Sequence, residues 1–265
     1  MNRRLLALFF ASVISLSAFF TATTASAAES VKLFTAFFGT QSRYGCTQHS
    51  GSFDILTTAF GYQKSVYVHL KEVDGSWVDL PASFIEALPD GREVWRASVL
   101  YGQGACPTAK LPPDTFELAI KVSTSSGDTW DNNGGANYQA AKASGSMLVV
   151  PQVASGGMSV YNQGDGSRAF YANAFLRNLG YSKNVDIVYS TDGWKTAKTA
   201  PLAYTNPYFL GYGSYASPNS NGIEVWVPPT ITFADPCVDF AIRYRVNGTE
   251  YWDNNFGRNY HLCAP

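Results

Sequence analysis

The chain has 265 residues and a formal net charge of −1, with charged residues making up only 15% of it. That balance carries no basic or acidic footprint, so nothing points to nucleic acid or to an anionic membrane surface. Charged residues fall well below the ~25% of ordinary domains, while Phe (17), Tyr (16) and Trp (6) are plentiful. This is the profile of a secreted β protein whose surface works by neutral hydrogen bonds and aromatic contact.

Arg3 and Arg4, the apolar run 5–20 and the small-residue triplet Ala25-Ser26-Ala27 read as a signal peptide over 1–27, cleaved after Ala27. Ser12, Ser15 and Ser17 break the run and argue against a membrane anchor, and no other apolar run is long enough to span a bilayer. The mature chain is expected to carry no membrane span.

Beyond the leader, strand signals dominate. Residues 31–37 and 53–58 are rich in β-formers. Residues 65–71 alternate, with Val66, Val68 and Leu70 on one face and Tyr67, His69 and Lys71 on the other. Asp74-Gly75-Ser76 is a turn followed by Trp77. Another strand is expected over 93–100, and Phe116, Leu118, Ile120 and Val122 line the inward face of the next. Gly, Ser and Pro between 143 and 158 predict an inter-domain linker, with an apolar 147–150 stretch able to dock on a neighbour. The second half repeats the plan. Strands are expected over 171–176 and 185–189, then the turn Thr191-Asp192-Gly193 before Trp194, then Glu224-Val225-Trp226, which answers Glu93-Val94-Trp95. Val238, Phe240, Ile242, Tyr244 and Val246 line one strand face, and Asn247-Gly248 signals a hairpin. No segment has a sustained helical period. The fold class predicted is all-β: two tandem immunoglobulin-like antiparallel β-sandwiches, over 28–142 and 159–265, joined by the linker 143–158.

The duplication is plainest where each half ends. Trp130-Asp131-Asn132-Asn133-Gly134-Gly135-Ala136-Asn137-Tyr138 and Trp252-Asp253-Asn254-Asn255-Phe256-Gly257-Arg258-Asn259-Tyr260 share W-D-N-N-x-G-x-N-Y in one register. An aromatic leading one carboxylate and three amides is a poor strand and a poor helix, so each copy is expected to be a loop. Trp95, after Val94, and Trp226, between Val225 and Val227, are expected in the core. Trp77, Trp194, Trp130 and Trp252, at strand ends beside polar residues, are expected to meet a ligand. A sugar suits such a surface: its C–H face stacks on an aromatic ring, and its hydroxyls need the mixed donor and acceptor of an Asn amide. Asn137 and Asn259 are read as ligand contacts, Asp131 and Asp253 as loop-fixing acceptors. The four cysteines allow three pairings; two fall in each half, which makes Cys46–Cys106 with Cys237–Cys263 the economical one. No C-x-x-C or paired His suggests a metal.

The chain resembles the family 21 carbohydrate-binding modules, the starch- and glycogen-binding modules of some amylolytic enzymes and of glycogen-targeting subunits of protein phosphatase 1. The resemblance lies in 178–185, 188–194, 239–244 and the terminal motif, and more weakly in 61–66, Trp77, 117–121 and the first motif copy. It implies an α-glucan ligand and two patches per module. The main patches would be Trp77, Trp130, Asn132 and Asn137, and Trp194, Trp252, Asn254 and Asn259. The second patches would be Asn178, Tyr181 and Lys183, and, with Ala59 in place of the Asn, Tyr62 and Lys64. Ala119 and Ala241 stand where some members have a further aromatic, so each main patch is expected to have two platforms.

No catalytic motif is present, and His49, His69 and His261 are scattered. Asp131 and Asp253 belong to separate copies, which does not suit a glycosidase pair. The expectation is therefore a secreted, monomeric, non-catalytic α-glucan binder without cofactor. The alternative is a cell-surface adhesion or structural protein that binds another polysaccharide or a protein.

Overall fold

A computed structural model describes residues 30–265 other than 59, 108, 109, 211 and 212. The expected signal peptide and the Ala59 position lie outside the described residues. The strands of the first half are β1 (Val31–Arg43), β2 (Cys46–Thr57), β3 (Lys64–Lys71), β4 (Trp77–Pro81), β5 (Ser83–Ala87), β6 (Glu93–Gly104), β7 (Thr115–Thr124), β8 (Gly127–Asp131), β9 (Tyr138–Ala141) and β10 (Gly145–Leu148). Those that follow are β11 (Val153–Asn162), β12 (Arg168–Arg177), β13 (Lys183–Ser190), β14 (Lys198–Pro201), β15 (Ala203–Thr205), β16 (Tyr208–Leu210), β17 (Gly213–Tyr215), β18 (Ile223–Val227), β19 (Ile231–Phe233), β20 (Cys237–Val246), β21 (Thr249–Asp253) and β22 (Tyr260–Cys263). Among the described residues the helical content is one 3-10 turn, Asn133–Gly135, inside the first motif. No helix there is long and apolar enough to cross a membrane.

Each half has two antiparallel sheets closed on one apolar core, and the second half adds a two-stranded sheet, β16-β17. In the first, a sheet ordered β10-β1-β2-β6-β5 faces β4-β3-β7-β8, with β9 also on β7. The alternation of β3 is realised: Val66, Val68 and Leu70 are buried and meet Phe38, Phe53, Tyr101 and Phe116. In the second, β11-β12-β18-β15 with β19 faces β14-β13-β20-β21 with β22. The inward residues of β20 pack there on Phe170, Leu176, Val185 and Ile187. Asn247-Gly248 makes the two-residue hairpin between β20 and β21, with Val246 opposite Thr249 and both turn residues at positive φ (52° and 75°). The disulfides are Cys46–Cys106 and Cys237–Cys263.

Two expectations are corrected. Residues 143–158 are not a free linker: β10 hydrogen-bonds to β1, and β11 already belongs to the second half. The Val149 and Val150 amides donate to Phe34 O at 3.0 and 3.2 Å. The halves pack together, in keeping with the apolar 147–150 stretch expected to dock on a neighbour. Phe37 and Leu148 share an apolar cluster with Phe175, Tyr208, Tyr215, Ile223 and Val225. The Tyr215 hydroxyl donates to Thr40 O and accepts from Thr40 N, at 3.2 and 3.0 Å. Within 143–158, Met147 and Val149 pack on the first core, Val153 in the second, and Leu148 is buried between the halves, whereas Val150 and Met158 stay exposed. Trp95 and Trp226 pack on the edge of their cores and are only partly buried. An indole N–H needs a partner when it leaves water, and each donates to a glutamate two residues earlier, Glu93 at 2.9 Å and Glu224 at 3.0 Å.

Candidate functional site

Only the middle of the duplicated motif is the expected loop: its Trp and Asp end β8 and β21, its Tyr opens β9 and β22, and the loop between them is fixed from within. The Asp131 carboxylate, 3% exposed, accepts from the Tyr138 hydroxyl at 2.7 Å, from Leu33 N at 2.9 Å and from Lys32 Nζ at 2.9 Å. Asp253 likewise accepts from the Tyr260 hydroxyl (2.8 and 2.9 Å) and from Ser155 N. The Asp and Tyr of W-D-N-N-x-G-x-N-Y are thus one latch across the loop. Burial pushes the Asp253 pKa up against those hydrogen bonds, and burial beside the carboxylate pushes the Tyr260 phenol up. The first Asn caps the turn: Asn132 Oδ1 accepts from Gly135 N at 3.0 Å and Asn254 Oδ1 from Gly257 N at 2.9 Å. The second Asn clasps the end, Asn133 Nδ2 to Asn137 O and Asn255 Nδ2 to Asn259 O, at 3.0 and 3.2 Å. Asn133, Asn137, Asn255 and Asn259 all have φ between 52° and 59°, a region Asn tolerates better than other side chains. Most of the amides therefore shape the loop. With their oxygens engaged, Asn132 and Asn254 have their NH2 groups to offer a ligand.

On the outer face of β3 and β7 the first set of residues comes together. Trp130 on β8 lies opposite Lys121, and Trp77 on β4 opposite Lys71. Both rings are partly exposed, Trp130 at 43%. The Lys71 and Lys121 ammonium groups lie 5.8 and 5.5 Å from the Trp77 and Trp130 ring centres. Between the two rings sits His69, stacked on Trp77 at 4.8 Å and edge-on to Trp130 at 5.2 Å. Its Nδ1 is 2.7 Å from Asp79 Oδ1, and Asp79 also accepts from Lys121. Burial works to raise the Asp79 pKa, but hydrogen bonds from Lys121 and His69 outweigh it and the net shift is downward. Asn137 Nδ2 donates to Glu117 Oε1 at 2.9 Å, so this amide is braced at the edge of the patch. His69 is the residue that sequence reasoning passed over. Its place on the outward face of 65–71 was legible, but its contact with Trp77 on the next strand and with Trp130, far along the chain, was not. The first patch therefore has three aromatic rings where two were expected.

The second half repeats the register and changes the detail. Trp252, also 43% exposed, lies opposite Arg243, whose guanidinium is 5.5 Å from its ring. Val188 pairs with Ala241 as His69 pairs with Ala119, so no ring fills the middle. Trp194 is placed by a turn and not by a strand. Its φ is 66°, its N–H donates to Ser190 Oγ at 2.9 Å, and Asp192 ties Ser190 to Thr196. Hydrogen bonds from the Thr196 amide and hydroxyl, and from Ser190, lower the Asp192 pKa to about 2.

Of the second patches, Tyr62 and Tyr181 project fully into solvent, at 105% and 103% relative exposure. The lysines do not lie on the surface. The side chains of Lys64 and Lys183 are each 5% exposed and pair with Glu93 and Glu224 at 2.9 Å, the same glutamates that accept from Trp95 and Trp226. Lys183 also donates to Asn178 Oδ1 at 2.6 Å and Lys64 to Gly61 O at 2.6 Å. Each lysine is thus a buried brace beneath its tyrosine loop. Sequence reasoning also missed the half-exposed Phe84 and Tyr204, edge-on to Trp95 and Trp226 at 5.5 and 6.1 Å. They come from short edge strands, and only sheet pairing brings them there. Cys237, His261 and Cys263 cluster, but both sulfurs are spent in the disulfide and cannot serve as thiolate ligands.

Residues 161–263 match the carbohydrate/starch-binding module of family 21. That segment holds Trp194, Trp252 and the Tyr181 loop. Protein phosphatase 1 regulatory subunit 3E of Rattus norvegicus is 36% identical over 94 residues, which is 35% of this chain and 30% of its own length. Glycogen-binding subunit 76A of Drosophila melanogaster is 31% identical over 91 residues, 34% of this chain and 12% of its length. Glucoamylase 1 of Rhizopus oryzae is 30% identical over 124 residues, 45% of this chain and 18% of its length. The chain thus spans less than a third of each of these relatives. Among solved structures, the starch-binding domain of Rhizopus oryzae glucoamylase, in complex with β-cyclodextrin and maltoheptaose, is 23% identical, with a TM-score of 0.31, over 43% of this chain and 94% of that one.

Proposed function

We propose that the chain is a secreted, non-catalytic α-glucan-binding protein built as two tandem carbohydrate-binding sandwiches. In each half a pair of exposed tryptophans flanks the outer face of a sheet, and a loop of amides closes the patch. The observation that carries the reading is the repeated register, Trp130 opposite Lys121 and Trp252 opposite Arg243. The family match over the second half and the starch and glycogen in the relatives' names support an α-glucan over other sugars. Only the glucan-binding part of those relatives is carried over, because the similarity spans so little of their length.

Trp77, Trp130, Trp194 and Trp252 stack on glucose rings, and Asn132, Asn137, Asn254 and Asn259 meet hydroxyls or hold the loop that does. Tyr62 and Tyr181, braced by Lys64 and Lys183, form the second patches with Asn178. Shallow stacking sites of this kind bind at roughly micromolar to millimolar Kd. Two patches held in one body gain on the order of 10²–10⁴ in avidity on a polymer that reaches both. The test is a pull-down of the mature protein on insoluble starch, with cellulose and chitin as controls, beside the double variant Trp130→Ala, Trp252→Ala. Starch binding lost in the folded double variant supports the reading. Binding that persists undiminished, or a wild-type protein that ignores starch, overturns it and turns attention to adhesion.

A further inference from the structure

The strands of the described residues contain three register shifts. One skips Phe34 in β1, one skips Ile85 in β5 and one skips Gly156 in β11. The three strands belong to both halves and are far apart in sequence, yet all three shifts border one region. Phe34, Ile85 and Ser155 line a cleft of about 470 Å³ between the halves, and Gly156 lines its continuation, about 320 Å³, which shares Asp54, Arg96 and Ser155 with it. A β-bulge bends its strand and re-aims a side chain, and bulges gather beside functional sites. Gly156 cannot be replaced freely, because a Cβ there would lie 2.5 Å from the Phe175 ring and 2.6 Å from Asn173 Nδ2.

One wall of the cleft is the second main patch itself, through Trp252 and Asn254. The opposite wall is the first half, through Ile85, Glu86, Arg92 and Arg96. The second motif loop is clamped to that wall. Phe256 holds φ at 56°, costly for a bulky residue, with its ring 5.3 Å from Phe34 and the Arg92 guanidinium 5.9 Å from its centre. Arg258 pairs with Glu86 at 2.6 Å. The first copy of the motif has Gly134 in the place of Phe256 and needs no such clamp. The walls mix apolar surface with the Arg92 and Arg96 guanidinium groups and the Asp54, Glu86 and Asp253 carboxylates, Arg96 already paired with Asp54 at 2.6 Å, and their remaining N–H groups and lone pairs can donate to and accept from the vicinal hydroxyls of a sugar. The Ser155 hydroxyl, buried in the same wall, has no hydrogen-bond partner.

We infer that the second glucan site is composite: a chain stacked on Trp252 continues into the inter-half cleft and is contacted there by Ile85, Arg92 and Arg96 of the first half. The inference rests on the α-glucan reading and adds subsites that the second half alone does not possess. The cleft volume is in the range of sites that hold an oligosaccharide of a few units.

The experiment measures maltose and maltoheptaose binding to the full-length mature protein by calorimetry, in a Trp130→Ala background so that the second site dominates. Ile85→Glu is expected to weaken maltoheptaose by on the order of tenfold and to leave maltose unchanged, because a short ligand held on Trp252 does not reach the opposite wall formed by the first half. A Cδ1-methyl label on Ile85 gives a readout that needs no folded variant, and its resonance is expected to shift with maltoheptaose and not with maltose. If Ile85→Glu binds like its parent, or the methyl resonance stays still at saturation, while Trp252→Ala abolishes binding, the cleft inference fails and the α-glucan reading stands. If the wild type binds neither ligand nor starch, both fail together.

Discussion

Replacing Trp130 by Ala isolates the stacking contribution of one platform. A tryptophan side chain offers roughly 250 Å², and at 43% exposure about 100 Å² of it is open to a ligand. Covering all of that at ~25 cal/mol per Å² gives about 2.5 kcal/mol. A pyranose approaches from one side only, since Lys121 lies near the ring and the edge of His69 abuts it, so about half of this is available. The expected loss is therefore about 1.3 kcal/mol, close to a tenfold rise in Kd. The assay is calorimetric titration with maltoheptaose in a Trp252→Ala background, with fold checked by circular dichroism and thermal melting. A folded Trp130→Ala variant that loses less than about threefold, below ~0.7 kcal/mol, would show that the ring is not a stacking platform. His69→Ala in the same background separates support from contact. It removes the ring between the two platforms, so it is expected to weaken binding while leaving stability nearly unchanged.

Asp131→Ala is expected to destabilise the first half by about 3 kcal/mol, because the Tyr138 hydroxyl and Leu33 N–H lose their acceptor in a dry site; denaturant unfolding measures it, and a cost under about 1 kcal/mol would contradict the latch. Lys183→Ala is expected to cost about 3 kcal/mol by leaving Glu224 buried without its partner, whereas a solvated lysine would cost less than about 0.5 kcal/mol, a difference a thermal melt resolves. Asp192 is expected to titrate near 2 in a carbon-detected NMR titration. Because its folded pKa lies below the unfolded value of 3.8, its support of the Trp194 turn is complete above that pH and is lost as pH falls towards 2; titration at the ordinary aspartate value would refute the Thr196 and Ser190 hydrogen bonds. Maltoheptaose is expected to bind far more weakly than starch or glycogen, and equal affinity would remove the avidity argument.

The strands were legible because period-2 alternation is a local property: the inward faces of β3, β7 and β20 can be read from Val66, Phe116 and Phe240 and their neighbours. The duplicated motif was legible because identical residues meet identical local constraints, the Asp–Tyr latch and the left-handed asparagines. The disulfide pairing, too, followed from two cysteines in each half. What depended on contacts between distant segments could not be read there. His69 meets Trp77 and Trp130 only because β4 and β8 bring them to it across the sheet. Lys64 and Lys183 look like surface charges until sheet pairing places Glu93 and Glu224 beside them. Residues 143–158 read as a linker from their Gly, Ser and Pro, yet β10 pairs with β1 and the flanking apolar residues find a partner in the other half. Local composition settled the strands, the turns and the chemistry on offer, because alternation and turn preference act over a few residues. Which rings meet, which charges are buried and how the halves form a cleft were decided only by the tertiary structure, because those depend on desolvation and packing between segments that only strand pairing and the contact between the halves bring together.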